Sequence, residues 1–380
     1  MGKYDDVIAF IKKLHSTEEF IPLHAPRFIG NEKKYVSECI DSTFVSSVGA
    51  FVDKFEKQVT EFTGAKYAVA TVNGTAALHI SLILSGVSKG DEVITQPLTF
   101  IATCNAINYI GAYPVFVDVD KKSLGLSAEK LECFLRKNAE IRNNECFNKS
   151  TNRRIKAVVP MHTFGFSADI DGLVGVCEKY NIPLVEDAAE SLGSYYKHRH
   201  TGTFGCLGAF SFNGNKIITT GGGGMIVTND EVLAKKAKHI TTTAKISHPW
   251  EYDHDMVGYN YRMPNINAAL GCAQMEVLPE FLKSKKQLAD EYKSFFKDKS
   301  IQFLQGSQDS VPNHWLNAVV LNSLEERNNF LQETNGQGVM TRPIWKLMSR
   351  VKMFQNAQKT NLENSEWLER RVVNIPSSVV

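Results

Sequence analysis

The feature that most constrains the fold is an alternation of short apolar runs with amphipathic segments in the first half of the chain. Apolar runs typical of buried strands occupy residues 67–72, 91–95, 114–118, 155–160 and 182–187. Segments with the apolar spacing of a helix separate them. Strands that alternate with helices in this way form a largely parallel sheet that is covered on both faces. We therefore predict an α/β fold whose functional residues lie at the carboxyl ends of the strands.

The pattern changes after residue 231, where α+β character replaces the regular alternation. Helices are predicted over residues 231–239, 265–276 and 279–297, and a strand over residues 317–321. We predict an N-terminal helix within residues 1–20, a large α/β domain over residues 21–250 and a smaller α+β domain over residues 251–380. The polar, asparagine-rich segment 138–154 is predicted to be an irregular surface insertion.

Composition argues against several classes of protein. The 380 residues carry a net charge of +2, so we expect no nucleic-acid partner. No apolar run approaches the roughly 18 residues of a membrane span, and the N-terminus has no apolar signal segment. The seven cysteines include no C-x-x-C pair, which disfavours a disulfide framework or a zinc site. We expect a cytoplasmic protein with reduced thiols and without a metal or a membrane partner.

A single lysine, Lys216, stands between two apolar runs and is soon followed by four glycines, residues 221–224. A desolvated lysine amine loses proton affinity and can form a Schiff base. The segment alone fits a surface hairpin with a glycine-rich turn equally well. A nucleotide-binding phosphate loop is disfavoured, because no Lys-Ser/Thr follows the glycines and they do not open a helix.

Features far apart in the sequence give Lys216 a chemical context. Asp187 ends a predicted strand, and Gly74-Thr75 lies where a strand meets a helix, a geometry that binds phosphate. Ser211 precedes the lysine, and Phe100 begins a helix where its ring can cover a flat ligand. Pyridoxal 5′-phosphate (PLP) needs such a set: a lysine, a carboxylate for the pyridine nitrogen, and donors for the phosphate.

Several motifs complete a resemblance to a known family. They are NGTAAL (73–78), PLTFIA (97–102), VEDAAES (185–191), FSFNGNK (210–216), GGGGM (221–225) and GYNYRM (258–263). From residue 21 to 380 the chain resembles the DegT/DnrJ/StrS nucleotide-sugar aminotransferases, which are fold type I PLP enzymes. The segments FVSSVG (44–49), TRPIW (341–345) and NIPSS (374–378) resemble the LegC-type subgroup. That subgroup acts on UDP-linked 2-acetamido-4-keto-6-deoxyhexoses in bacillosamine or legionaminic acid biosynthesis.

The resemblance implies roles for individual cofactor-binding residues. Lys216 matches the Schiff-base lysine that later carries the proton, and Asp187 matches the carboxylate on the pyridine nitrogen. Glu190 matches a position near the ring hydroxyl of the cofactor. The matching phosphate contacts are Gly74, Thr75 and Ser211.

Two asparagines carry further implications. Asn260 lies in the motif by which such enzymes reach the phosphate of the neighbouring subunit, which implies a homodimer with shared active sites. Arg262 lies in the same motif, and for it a structural pairing within the fold is as plausible as a contact with the site. Many members have histidine where this chain has Asn213 next to the cofactor, so an acid–base role near neutral pH is lost there.

Substrate contacts are expected from residues outside these motifs. The loop with Ser46 and Ser47 can cover the sugar. Arg342 and Trp345, with His314 and Trp315, can contact the nucleotide, although domain packing is an equal alternative for Arg342. His162 is either a substrate neighbour or a hydrogen-bonded core histidine.

The resemblance thus implies amino transfer from L-glutamate to C4 of a UDP-linked keto sugar, on the way to a surface-glycan amino sugar. An alternative substrate is a dTDP- or GDP-linked 4-keto- or 3-keto-6-deoxysugar. A branch of the family that removes the 3-hydroxyl has histidine in place of the lysine, so Lys216 favours amino transfer. The presence of Lys216 and Asp187 also argues against a PLP-fold protein with only a binding or regulatory role.

Overall fold

The computed structural model describes residues 2–380. Its α-helices are α1 (Asp5–Leu14), α2 (Glu32–Asp41), α3 (Ala50–Thr63), α4 (Gly74–Leu84), α5 (Ile101–Tyr109), α6 (Ala128–Asn138), α7 (Ile170–Lys179), α8 (Glu231–Thr241), α9 (Asn265–Phe296), α10 (Leu324–Gly336) and α11 (Glu363–Glu369). Its strands are β1 (Tyr67–Thr71), β2 (Glu92–Thr95), β3 (Tyr113–Phe116), β4 (Ala139–Arg142), β5 (Glu145–Asn148), β6 (Ile155–Val159), β7 (Val185–Asp187), β8 (Tyr195–Tyr196), β9 (Arg199–His200), β10 (Leu207–Ser211), β11 (Gly224–Thr228), β12 (Lys245–Ile246), β13 (Asp253–His254), β14 (Gln302–Phe303), β15 (Ser310–Val311), β16 (Asn317–Val320), β17 (Arg342–Pro343) and β18 (Val372–Ile375). Short 3₁₀ turns lie at Thr163–Gly165 and Met348–Arg350.

The central sheet has the strand order β3-β2-β6-β7-β10-β11-β1. Parallel bridges from Val158 to Leu184 and from Met161 to Asp187 join β6 to β7 and make the sheet continuous. Strand β11 runs antiparallel to both of its neighbours, and the other strands run parallel to one another. The predicted α/β fold with a mostly parallel sheet is confirmed.

Helices cover both faces of this sheet because its strands are apolar on both sides. Val69 and Ile226 pack into a core that includes residues of α4, α5 and α8. Their chain neighbours Ala70 and Val227 point to the opposite face, where residues of α3 and α9 complete the core. Such two-sided burial explains why the strands appear in the sequence as continuous apolar runs.

A second, antiparallel sheet with the order β14-β16-β18-β17 lies towards the C-terminus. Its core includes residues of α1 and of the second half of α9. Two helices were predicted where α9 is a single one, and that prediction is wrong. Pro279 removes only one backbone donor, and Leu278 and Phe281 on either side of it are both buried and hold the helix in place. Since α9 contributes to the cores of both sheets, the domain boundary at residue 250 stays a prediction.

The segment predicted to be an irregular insertion instead contains the hairpin β4–β5. Asn143 and Asn144, between its strands, have φ values of 48° and 65°. Two consecutive left-handed residues form the turn that matches the twist of a hairpin, and asparagine adopts this conformation more readily than most residues. The Asn-Asn pair predicts this hairpin turn, whereas apolar periodicity does not.

Between residues 2 and 380, no helix combines the length and the apolar character that crossing a bilayer requires.

Candidate active site

The carboxyl ends of β1, β7 and β10 meet at a cavity of about 340 Å³. They meet because these strands run in the same direction within one sheet. The cavity is lined by Asn73, Gly74, Thr75, Leu78, Phe100, Ala102, Met161, Asp187, Ala189, Glu190, Ser211, Asn213, Asn215, Lys216, Trp315 and Trp345. All the predicted cofactor-binding residues except Asn260 are therefore brought together.

Lys216 projects into this cavity from the turn that follows β10. Its backbone N–H donates to the carbonyl of Asn213 at 2.9 Å, which closes the turn. Its Nζ lies 3.3 Å from Oε1 of Glu190 and 4.0 Å from the centre of the Trp315 ring. Only 13% of the side chain is exposed. The amine is thus held between a carboxylate and an aromatic face.

Asp187 ends β7 and is almost completely buried. Thr103 donates its hydroxyl to Oδ2 at 2.6 Å, and the N–H of Ala189 donates to Oδ1 at 3.2 Å. Burial raises the pKa of this carboxyl, and these donors and the Lys216 charge oppose the rise. A protonated pyridine nitrogen at the free side of the carboxylate would supply a cation, and this environment fits that group.

Glu190 lies beside Lys216 and is buried as well. Its Oε2 accepts the backbone N–H of Phe164 at 2.9 Å. Burial raises its pKa to about 7, against the opposing charge of Lys216. This carboxyl can therefore hold or release a proton near neutral pH within reach of the lysine amine.

The start of α4 provides a phosphate-sized anion site. Asn73 caps the helix by accepting the N–H of Ala76 at 2.8 Å, so the first N–H groups, including that of Gly74, are left for a ligand. A Cβ on Gly74 would lie 2.8 Å from Cβ of Ser211, and a Cβ on Gly224 would lie 2.4 Å from the carbonyl carbon of Asn73. Neither glycine has room for a side chain. The helix N-terminus and the Ser211 hydroxyl fit the phosphate of PLP.

The aromatic walls of the cavity come from three parts of the chain. Phe100 stands just before α5 with 52% of its surface exposed, and its ring centre lies 6.4 Å from that of Trp345. Trp315 donates its indole N–H to the carbonyl of Asn215 at 2.6 Å. These rings can cover a flat ligand and limit the access of water.

Several predicted substrate residues do not line this cavity. His162 is fully buried, donates from Nε2 to Glu186 at 2.9 Å and accepts the N–H of Ala168 at Nδ1. These contacts match the core-histidine alternative. Arg342 is exposed and donates to Asn335 and to the carbonyl of Thr341.

The two serines and Asn260 also lie away from the cavity. The carbonyl of Ser46 accepts the N–H of Asn265, and Ser47 belongs to the same loop. Asn260 is exposed and forms a β-bridge with Thr242. Contacts of these residues with substrate or with a second subunit stay predictions.

Sequence reasoning missed two residues that support the site. Thr103, the donor to Asp187, lies one helical turn after Thr99, and their hydroxyls are 2.9 Å apart. The spacing of four residues between these two threonines, at the start of a helix, indicates that their hydroxyls lie side by side. Trp315 was considered only as a nucleotide contact, whereas its ring lies against Lys216.

Comparisons with known proteins agree with this geometry. The model of the DegT/DnrJ/EryC1/StrS aminotransferase family matches residues 26–379. A GDP-perosamine synthase from Escherichia coli O157:H7 is 37% identical over 361 residues, covering 94% of this chain and 93% of that protein. A GDP-perosamine synthase from Vibrio cholerae is 34% identical, with 94% of each chain covered. Helicobacter pylori PseC, an aminotransferase involved in pseudoaminic acid biosynthesis, has the same fold, with a TM-score of 0.85, 24% identity and 94% of each chain covered.

The fold and the site together define a PLP-dependent aminotransferase of fold type I. The chain belongs to the DegT/DnrJ/EryC1/StrS aminotransferase family. Its relatives include enzymes of sugar biosynthesis, such as the GDP-perosamine synthases.

Proposed function

We propose that the protein transfers the amino group of L-glutamate to C4 of a GDP-linked 4-keto-6-deoxyhexose, in the synthesis of a surface-glycan amino sugar. The observation that carries the nucleotide assignment is the 37% identity, over 94% of the chain, to a GDP-perosamine synthase. The UDP-linked substrate implied by segments 44–49, 341–345 and 374–378 is less well supported. Of those segments, Trp345 alone lines the cavity.

The residues of the cavity divide the chemistry between them. When bound, PLP supplies an electron sink for the carbon that loses or gains the amine. Lys216 holds the cofactor and, once released, moves the proton at the reacting carbon. Glu190 stores a proton beside that amine, since its pKa is about 7. The Asp187 carboxylate stabilises the positive charge of the ring nitrogen, and the aromatic walls limit water.

A panel of nucleotide sugars tests the substrate assignment. The protein, loaded with PLP and supplied with glutamate, is incubated separately with GDP-, UDP- and dTDP-linked 4-keto-6-deoxysugars, including the 2-acetamido UDP compound, and the products are identified by mass spectrometry. Amination of the GDP compound with the highest kcat/KM is expected, and Lys216→Ala should abolish it. Preference for the UDP compound would refute the GDP assignment and leave the aminotransferase class intact.

We also propose that the active enzyme is a homodimer in which Asn260 reaches the phosphate of the partner's site. Apolar side chains are exposed in the loop with Ser46 and Ser47 and in the stretch that precedes Asn260. They include Val48 at 64%, Trp250 at 76% and Tyr252 at 83%. Exposed apolar surface of this kind is typical of protein interfaces.

Complementation between two inactive variants tests shared sites. Lys216→Ala and Asn260→Ala protomers are unfolded together, refolded as a mixture and loaded with PLP. A heterodimer would contain one intact site, so up to about a quarter of all sites should regain activity. Chains that stay monomeric by light scattering, or mixtures that regain no activity, would contradict this arrangement.

A further inference from the structure

A lysine in the second half of α9 is fully buried and has no acidic partner among residues 2–380. Lys285 has no exposed surface, and burial is the one resolved influence on its pKa, which falls to about 7. Its Nζ donates to the carbonyl oxygens of His314 at 3.4 Å, Trp315 at 3.3 Å and Ser377 at 2.5 Å. Burying an amine that water would otherwise solvate is unfavourable. The burial of Lys285 therefore suggests a role other than stability, and its three carbonyl partners show which segments it holds.

Two of these carbonyls belong to the turn of residues 313–316, which leads into β16. His314 has a φ of 51°, a left-handed conformation that is unfavourable for a residue with a large side chain. Asn313 accepts the N–H of Trp315 at 2.9 Å and donates to the carbonyls of Glu190 and Leu192, each at 2.9 Å. The turn is therefore strained at one residue and tied directly to the segment that carries Glu190.

The same turn delivers Trp315 to the active site. The Trp315 ring contacts the amine of Lys216 from one side, and its indole N–H holds the carbonyl of the preceding residue, Asn215. An uninterrupted series of contacts thus runs from Lys285 through the backbone and ring of Trp315 to Lys216. If the carbonyl of Trp315 lost its donor, the turn could relax and the ring could move away from Lys216.

The other basic groups near Lys285 are the imidazoles of three histidines. Burial lowers the pKa of His15 and of His314 to about 4, and the Lys285 charge adds to the effect. Burial also lowers the pKa of His24, with further contributions from the charges of Lys285 and Lys216. These imidazoles are neutral at pH 7, and Lys285 is the group that holds both carbonyls of the 313–316 turn.

We propose that Lys285 is a positioning residue of the aminotransferase site. Its amino group holds the 313–316 turn in the conformation that places Trp315 against Lys216. The proposal rests on PLP chemistry at Lys216 and does not depend on the identity of the sugar nucleotide. It therefore can be tested in the half-reaction with glutamate, even if the GDP assignment fails.

Lys285→Met tests this role, since methionine fills a similar volume without a hydrogen-bond donor. Tyr292→Phe is the matched control, because Tyr292 is also buried on α9 and donates its hydroxyl to the carbonyl of Pro376 at 2.9 Å. That hydrogen bond fixes the C-terminal segment and does not involve the 313–316 turn. Hydrogen exchange of the PLP-free protein, PLP affinity and the single-turnover rate with glutamate are measured for each variant.

In Lys285→Met we expect amides of residues 313–316 to exchange at least about tenfold faster and the glutamate half-reaction to slow about tenfold. Tyr292→Phe should leave both unchanged. Trp315→Phe should slow the half-reaction similarly, and the double variant should be no slower than the slower single one, because both changes act on one series of contacts. Unchanged exchange in Lys285→Met, equal losses in Tyr292→Phe, or additive effects would overturn the proposal.

A second pair of variants tests the same role if Lys285→Met does not fold. Lys285→Gln keeps two N–H donors and should retain more of the half-reaction rate than Lys285→Ala. Equal losses in the two variants would overturn the proposal.

Discussion

The burial of Lys285 should make the stability of the protein depend on pH in a way that Lys285→Met removes. The pKa of Lys285 falls from 10.5 to about 7 because the amine is buried. Between these two values the unfolded chain binds a proton that the folded chain does not. The contribution of Lys285 to the free energy of unfolding therefore rises as the pH rises through this range, and the full destabilisation by the buried charge is present below pH 7.

The size of the effect follows from the shift. One unit of pKa difference corresponds to about 1.4 kcal/mol, so the contribution of Lys285 to stability should rise by nearly that amount per pH unit inside the range. From pH 7.5 to 9.5 the contribution of Lys285 amounts to about 2–3 kcal/mol. The imidazoles with pKa values of about 4 and Glu190, with a pKa of about 7, titrate mainly below this interval.

Urea unfolding of the PLP-free protein at pH 7.5, 8.5 and 9.5 measures this contribution. The difference in unfolding free energy between wild type and Lys285→Met should change by about 2–3 kcal/mol across the series. Lys286→Met is the control, because Lys286 is exposed and pairs with Asp290 at 2.7 Å on the same helix. It should follow the wild type. Parallel pH profiles for wild type and Lys285→Met would refute the reasoning, since they would mean that Lys285 titrates in the folded protein as it does in the unfolded chain.

Three further predictions follow from the site and the fold. Gly74→Ala should weaken PLP binding at least about tenfold in a titration of the PLP-free protein, because the new Cβ would lie 2.8 Å from Cβ of Ser211; unchanged affinity would contradict the phosphate site. Thr103→Val removes the 2.6 Å donor of Asp187, which should raise the pKa of that carboxyl and move the acid limb of the glutamate half-reaction to higher pH, as a pH–rate profile would reveal. Asn144→Ala should lower the free energy of unfolding by about 1 kcal/mol, because that residue has a φ of 65°; equal urea midpoints would speak against the turn assignment.

The sequence predicts the fold correctly where burial of apolar side chains determines both the local pattern and the arrangement of the strands. The apolar runs are continuous because both faces of the central sheet are buried. Once the strands are known to be parallel, Asp187, Gly74 and Ser211 must lie at one edge, although they are far apart in the chain. Topology therefore predicts that these residues share one edge of the sheet, and the chemical needs of PLP together with the family resemblance predict that they form one site.

The features that were missed depend on contacts that no local pattern records. The continuity of α9 through Pro279 depends on the burial of its flanking residues in the core. The backbone of Trp315 follows a residue with a left-handed conformation, His314, and its carbonyl accepts a hydrogen bond from a buried amine on α9, Lys285. Local propensity disfavours each of these arrangements, and tertiary packing stabilises them.

Two lysines of this chain, the partly buried Lys216 and the fully buried Lys285, illustrate such arrangements. Lys216 projects into the cavity, where a carboxylate and an aromatic ring lie against its amine. Lys285 has no carboxylate partner within residues 2–380, and replacement by an apolar side chain would remove the unfavourable burial of its amine. Selection for stability alone would favour that replacement. The presence of a group that destabilises the fold, in contact with the turn that supports Lys216, is accounted for if the position of Trp315 contributes more to the reaction than the buried amine removes from stability.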